Sequence, residues 1–401
     1  MPKVARRAVN DIYHRSFILF CFCAAGVVFL FSGTAILAQD AKAGPRPTSV
    51  SPALSPRAQI LMNEGWGESS YARGLSIMSD KTETRDSRSV AMGLLHANRR
   101  NFKPSEIRQL LEQVTLMAKD TATEAELSAQ AVNTMTNLTL TMEELKQLNR
   151  VEATKEAGFL LSAATDTRRN IQFRSQAINA LGILKISEAA PTLRGILSAS
   201  TDINVPEIAR PACLSLMRID NERAVHVLAD VLHRTGDPSV FGTAAFALGQ
   251  IKTRESMISL VQNEKRFTES GSCDAAIVDM EDVILAVLRN PQDANITDAI
   301  AATRHLWRDG QRGHYIQALQ GLLKTAPLEI RKAALDRLLE SAGLQEFEQE
   351  KRELRVILEL IKDQADLEKY KERIKTRLTA TLLTPIPGAT VPVPPLRKGA
   401  R

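Results

Sequence analysis

With 401 residues, 44% of them hydrophobic, the chain has ample material for a buried core, which excludes wholesale disorder. Aromatics make up only 4%, and interiors built from Leu, Ala, Ile and Val suit close-packed helices better than long β-sandwiches, so the expected class is all-α. The net charge of +6 is no sign of nucleic acid: half of it lies within residues 1–38, and the remainder has no RNP-like aromatic motif, zinc-finger spacing or basic helix.

Residues 1–38 read as a targeting segment. Lys3, Arg6, Arg7 and Arg15 precede an uncharged, largely apolar run from Phe17 to Ala38. Basic residues stay on the cytoplasmic side while such a run partitions into the bilayer. Ala38 is the small residue a signal peptidase requires, yet the run is also long enough to span a membrane, which takes about 20 residues. A cleaved signal peptide and a retained single-pass anchor are both open. Either one places the chain after Gln39 outside the cytoplasm, in a periplasmic or secreted location, with the membrane touched only through this segment. Residues 39–55, "DAKAGPRPTSVSPALSP" without its last letters, have no period and read as a flexible Pro/Ser-rich linker.

From residue 56 the pattern becomes repetitive. "FRSQAINALGILKISEAAPTLRGIL" recurs as "IARPACLSLMRIDNERAVHVLADVL" and again as "VFGTAAFALGQIKTRESMISLV". Ala177, Ala212 and Ala244 correspond, as do Leu181, Leu216 and Leu248, and Leu184, Ile219 and Ile251. Three- and four-residue spacings place these side chains on one helix face. The small residues let a neighbouring helix approach, and the polar turns "KISE", "DNER" and "TRES" reverse the chain into a second amphipathic helix. One such hairpin cannot bury its apolar face alone, whereas a stack buries a continuous ridge.

These segments resemble the HEAT family of helical repeats, an armadillo-type α-solenoid, and in particular the bacterial HEAT-like subtype with a consensus near "AAxALGxI" followed by "AxxxLxxxL". The second copy lacks the glycine, carrying Met217 where Gly182 and Gly249 stand. The resemblance implies stacked antiparallel helix hairpins and a scaffold or adaptor that binds another protein. It does not imply a reaction. Bacterial HEAT-like repeats also occur in phycobilin lyases and related tetrapyrrole-handling proteins, which keeps an enzymatic alternative open. A membrane-anchored structural role in the envelope is the third reading.

Fainter copies flank the centre, so the array is expected over residues 56–345, with six to eight hairpins between Pro56 and Gly343. In "NEGWGESSYARG", Trp66 and Tyr71 are expected to tuck under the first repeat as an N-terminal cap. Residues 346–380 read as one charged capping helix with a stripe of Leu354, Ile357, Ile361 and Ala365 that then shifts to Leu367, Tyr370 and Ile374. Residues 381–401 form a Pro-rich tail expected to be disordered.

Convergent chemistry is sparse. No GxSxG, P-loop, GxGxxG or HExxH occurs, so no catalytic residue, metal ligand or cofactor is expected. His226 and His233 are seven apart, too far to share one metal directly. The best candidate binding patch is His305, Trp307, Arg308, Arg312 and His314, around the loop "LWRDGQRG". Cys213 and Cys273, outside the leader, are 60 residues apart and read as buried thiols more readily than as a bonded pair.

Overall fold

A computed structural model describes residues 54–383 apart from 65–66, 149–154, 200, 269–270, 307–310, 344 and 346. The leader, nearly all of the linker and the tail beyond Leu383 lie outside the described residues, as do Trp66, Trp307 and Arg308.

The described residues hold nineteen α-helices and no strand. They run α1 (Pro56–Asn63), α2 (Glu68–Ser79), α3 (Arg85–Ala97), α4 (Pro104–Lys119), α5 (Ala125–Glu144) and α6 (Ala157–Thr165). The central set is α7 (Ile171–Ile183), α8 (Ala190–Ser198), α9 (Pro206–Ile219), α10 (Asn221–Arg234), α11 (Pro238–Ile251) and α12 (Arg254–Asn263). Then come α13 (Ser272–Val278), α14 (Glu281–Leu288), α15 (Ile296–Ala302), α16 (Gln311–Thr325), α17 (Leu328–Ala342), α18 (Phe347–Ile361) and α19 (Glu368–Leu383).

Successive helices alternate between two layers. In the first layer α1 packs on α3, α3 on α5, α5 on α7, α7 on α9, α9 on α11 and α11 on α13. The series resumes with α14 on α16 and α16 on α18. In the second, α6 packs on α8, α8 on α10, α10 on α12, α12 on α15 and α15 on α17. The short helices α13 and α14, divided at Asp279 and Met280, stand in place of one first-layer helix: α13 meets the preceding unit and α14 the following one. Eight two-helix units therefore lie between Pro56 and Gly343, and a ninth follows.

The repeat residues lie in the core. Ala177, Leu181, Ala212, Leu216, Ala244 and Leu248 have no exposed surface, Leu184 and Ile251 almost none, while Ile219 is only half-buried. Two glycines set how closely first-layer helices approach. A Cβ on Gly182 of α7 would fall 2.5 Å from the Cα of Ser215 on α9, and one on Gly249 of α11 would fall 3.0 Å from the Cα of Ala276 on α13. Ser215 Oγ also donates to the Ile178 carbonyl at 2.9 Å, satisfying a fully buried hydroxyl across the same contact. In α5, buried from several sides, Thr136, Thr139 and Thr141 donate to the carbonyls of Val132, Met135 and Asn137, four residues back.

The two kinds of chain reversal differ chemically. Turns from second-layer to first-layer helices begin with Asp80, Asp120 and Asp166. In each, one carboxylate oxygen accepts the N–H two residues on, at 2.9 to 3.1 Å, and the carbonyl accepts the N–H three residues on. Turns from first to second layer instead close, after α5, α7 and α11, on Lys146, Lys185 and Lys252, all in the left-handed region with φ of 55°, 50° and 57°. Ile186 N–H bonds Leu181 O and Lys185 N–H bonds Gly182 O, a Schellman pair repeated by Gln147 and Lys146. This conformation costs a residue with a side chain about 1–2 kcal/mol, whereas a cation beside the last helical carbonyls returns about 0.3–1 kcal/mol. Lysine here is therefore a net local cost relative to glycine.

The stretch 346–380 is not one helix. It breaks at Lys362–Gln364 into α18 and α19, which fold back on each other. The shift in the apolar stripe explains why: Leu354, Ile357 and Ile361 of α18, Leu367 in the turn and Ile374 of α19 are all buried, which a straight helix facing one neighbour does not achieve. Gln364 anchors the reversal by donating to the Leu323 carbonyl at 2.9 Å, and Arg331 joins Asp366 at 2.6 Å.

Candidate functional site

The three described members of the predicted patch join three different neighbours. His305 ends the 3-10 turn after α15 and is 9% exposed. Its Nε2 lies 2.9 Å from Glu264 Oε2 at the end of α12, and its Nδ1 lies 3.3 Å from Asp274 Oδ1 on α13. Arg304 takes the other Glu264 oxygen at 3.0 Å. Arg312 instead reaches forward to Glu353 of α18 at 2.6 Å, and the exposed His314 pairs with Glu281 of α14 at 2.7 Å. The patch is thus a set of ties between units, with one enclosed ion cluster around His305.

That cluster carries two imidazole–carboxylate contacts, the elements of acid–base chemistry. Both oxygens of Glu264 are already engaged, and His305 has both ring nitrogens facing carboxylates, so the arrangement clamps α12, α13 and the turn after α15 together. Cys273, beside Asp274, is buried and free; burial, then the Asp274 and Glu264 charges, push its thiol up to about 12. Cys213 is also free, and burial pushes it up to about 12. Neither is an activated nucleophile at neutral pH. His96 on α3 is held near 4 by burial and by Arg99, so its imidazole is neutral. His226 and His233 are exposed on α10. Among the described residues no group of three or more His, Cys, Asp or Glu is placed to hold a metal ion, and no helix is long and apolar enough to cross a membrane.

At the other end of the sequence motif pair, Tyr71 is buried: its hydroxyl donates to the Glu106 carbonyl at 2.7 Å and its ring meets Phe102 edge-on at 4.9 Å.

Buried arginines are the functional groups that pattern reading passed over. Arg88 Nε donates to the Met78 carbonyl at 3.1 Å, and Arg174 Nε to the Ala164 carbonyl at 3.2 Å, each closing the end of the preceding second-layer helix. Arg266 does the same for α10 through Thr235 O at 3.0 Å, and Arg337 and Arg377 serve Thr303 O and Leu339 O. Unpaired carbonyls at a helix C-terminus favour such cations. The signal was present: an arginine stands eight residues after Asp80 and after Asp166, whereas Ser128 stands eight after Asp120. Ser128 Oγ is buried without a hydrogen-bond partner.

Arg174 also lines an open cleft of about 360 Å³ with Thr165, Thr167, Thr192, Ile196 and Asp202. The C-terminal ends of α6 and α8 and the Asp202 carboxylate, 3.5 Å from Arg174 Nη2, balance the guanidinium. Its charge is already answered within the fold.

No family model matches the chain, and no curated protein does. Among solved structures, that of human deoxyhypusine hydroxylase in complex with glycerol is similar over 67% of this chain and 95% of its own, at 16% identity and a TM-score of 0.29. The likeness is one of all-helical folding, and no residue role passes across it.

Proposed function

We propose that this chain is a non-catalytic scaffold: an exported helical-repeat array, of the bacterial HEAT-like subtype, that binds another protein or envelope component. The observation that carries the reading is the packing order. Each unit leans on the units beside it in two continuous layers, so the surface is a series of similar turns and helix faces, the form that suits a broad macromolecular partner. The charged groups of the predicted patch and the buried arginines support it, since they tie one unit to the next. Delivery outside the cytoplasm rests on the basic residues and apolar run before Gln39.

Photo-crosslinking from exposed positions on several units, in the cell of origin, tests the binding role. A discrete protein adduct from a contiguous set of positions is the expected result; adducts to lipid alone, or none, contradict it. Visible absorbance in the purified chain points to the tetrapyrrole-handling alternative. A mature N-terminus at Gln39, read by mass spectrometry, establishes cleavage and retires the anchored structural role.

A further inference from the structure

The first-to-second-layer turns carry an alternation of exposed charges. Lys146, Lys185, Arg223 and Lys252 are exposed at successive turns, and each has an exposed glutamate close by: Glu144, Glu188, Glu222 and Glu255. Adjacent packed helices are about 8–10 Å apart, so the pairs recur along one edge at about that interval. Helix ends explain the signs, with lysines past C-termini and glutamates in first turns. They do not explain why lysine stands at three left-handed positions where glycine fits without strain.

Resting on the scaffold reading, we propose that this edge docks an extended segment of a partner protein bearing alternating acidic and basic side chains. An extended strand advances about 3.3 Å per residue, so an acidic side chain at every third residue meets one lysine turn after another, and basic residues between them meet the glutamates. A phosphate backbone or an anionic bilayer presents negative charge everywhere and meets a glutamate at every turn. The interleaved signs therefore favour a polypeptide and select its register.

The test uses the full-length chain in mild detergent and fluorescein-labelled (Glu-Ser-Lys)4, with a scrambled peptide of the same composition as reference. Exposed charge pairs are individually weak, so the patterned peptide should bind about tenfold tighter than the scrambled one. The triple variant Lys146→Gly, Lys185→Gly, Lys252→Gly should lose that preference while melting at the parental temperature or above it. A parallel triple substitution to Asn, which also accepts the left-handed backbone, gives the same answer independently. Equal binding of the two peptides, or a preference retained by both variants, overturns the proposal. So does binding of a single-stranded oligonucleotide or of anionic vesicles that exceeds peptide binding and disappears in the variants. Crosslinks to a protein partner from other faces, with no peptide preference here, retire this edge and leave the scaffold reading standing.

Discussion

The central units, α7 to α12, and the last unit, α18 with α19, use the same two-helix element under opposite conditions. In the centre, first-layer helices are covered on both sides and meet at Gly182 and Ser215, with no space for a methyl group. In the last unit one apolar stripe per helix faces the array, Lys351 and Lys371 lie buried beside it, and Arg331–Asp366, Arg373–Asp336 and Arg377–Glu350 pairs border it. A central unit gains stability from two neighbours and tolerates little added volume. An end unit has one neighbour and covers its outer side with charge, as a soluble repeat array requires.

The largest break in this contrast is expected from Leu216→Asp. The substitution places an unpaired carboxylate where the native side chain has no exposed surface, a loss on the order of 4 kcal/mol or more. Circular dichroism should show a much earlier melt; a parental melt means the repeat register is wrong. Next comes Leu354→Ala at the end unit, expected to cost about 2–4 kcal/mol. Hydrogen exchange should show the loss within α18 and α19, with α7 to α12 still protected.

Gly182→Ala sharpens the comparison at smaller scale. Overpacking of a tight contact costs about 1–3 kcal/mol, and Gly249→Ala should cost less because its Cβ would sit 3.0 Å rather than 2.5 Å from the facing Cα. Equal denaturation midpoints for the two variants would count against the backbone contact as the cause. Arg331→Ala should have the smallest effect, below about 1 kcal/mol and fading with salt, since Asp366 is partly exposed. A large, salt-independent loss would show that the end unit depends on that pair more than on its apolar stripe.

The central units are legible in the sequence because Ala177, Leu181 and their copies recur at 35 and 32 residues, and burial of one helix face requires such recurrence. The Asp turns escape that register: Asp80, Asp120 and Asp166 are spaced 40 and 46 residues apart, because the length of α5 and the turn after it vary without disturbing the layers. The break at Lys362–Gln364 is hidden because Lys and Gln are good helix formers; tertiary contact of Gln364 with the Leu323 carbonyl overrides propensity. For the candidate patch, closeness in sequence misled. His305 meets Glu264 across 41 residues and Arg312 meets Glu353 across another 41, partnerships set by how neighbouring units stack.

Native-state hydrogen exchange across the full-length chain tests the neighbour-dependent stack most directly. The account predicts graded opening free energies, highest in α7 to α12 and falling towards α18 and α19. A single opening free energy shared by every helix, from α1 to α19, would contradict it.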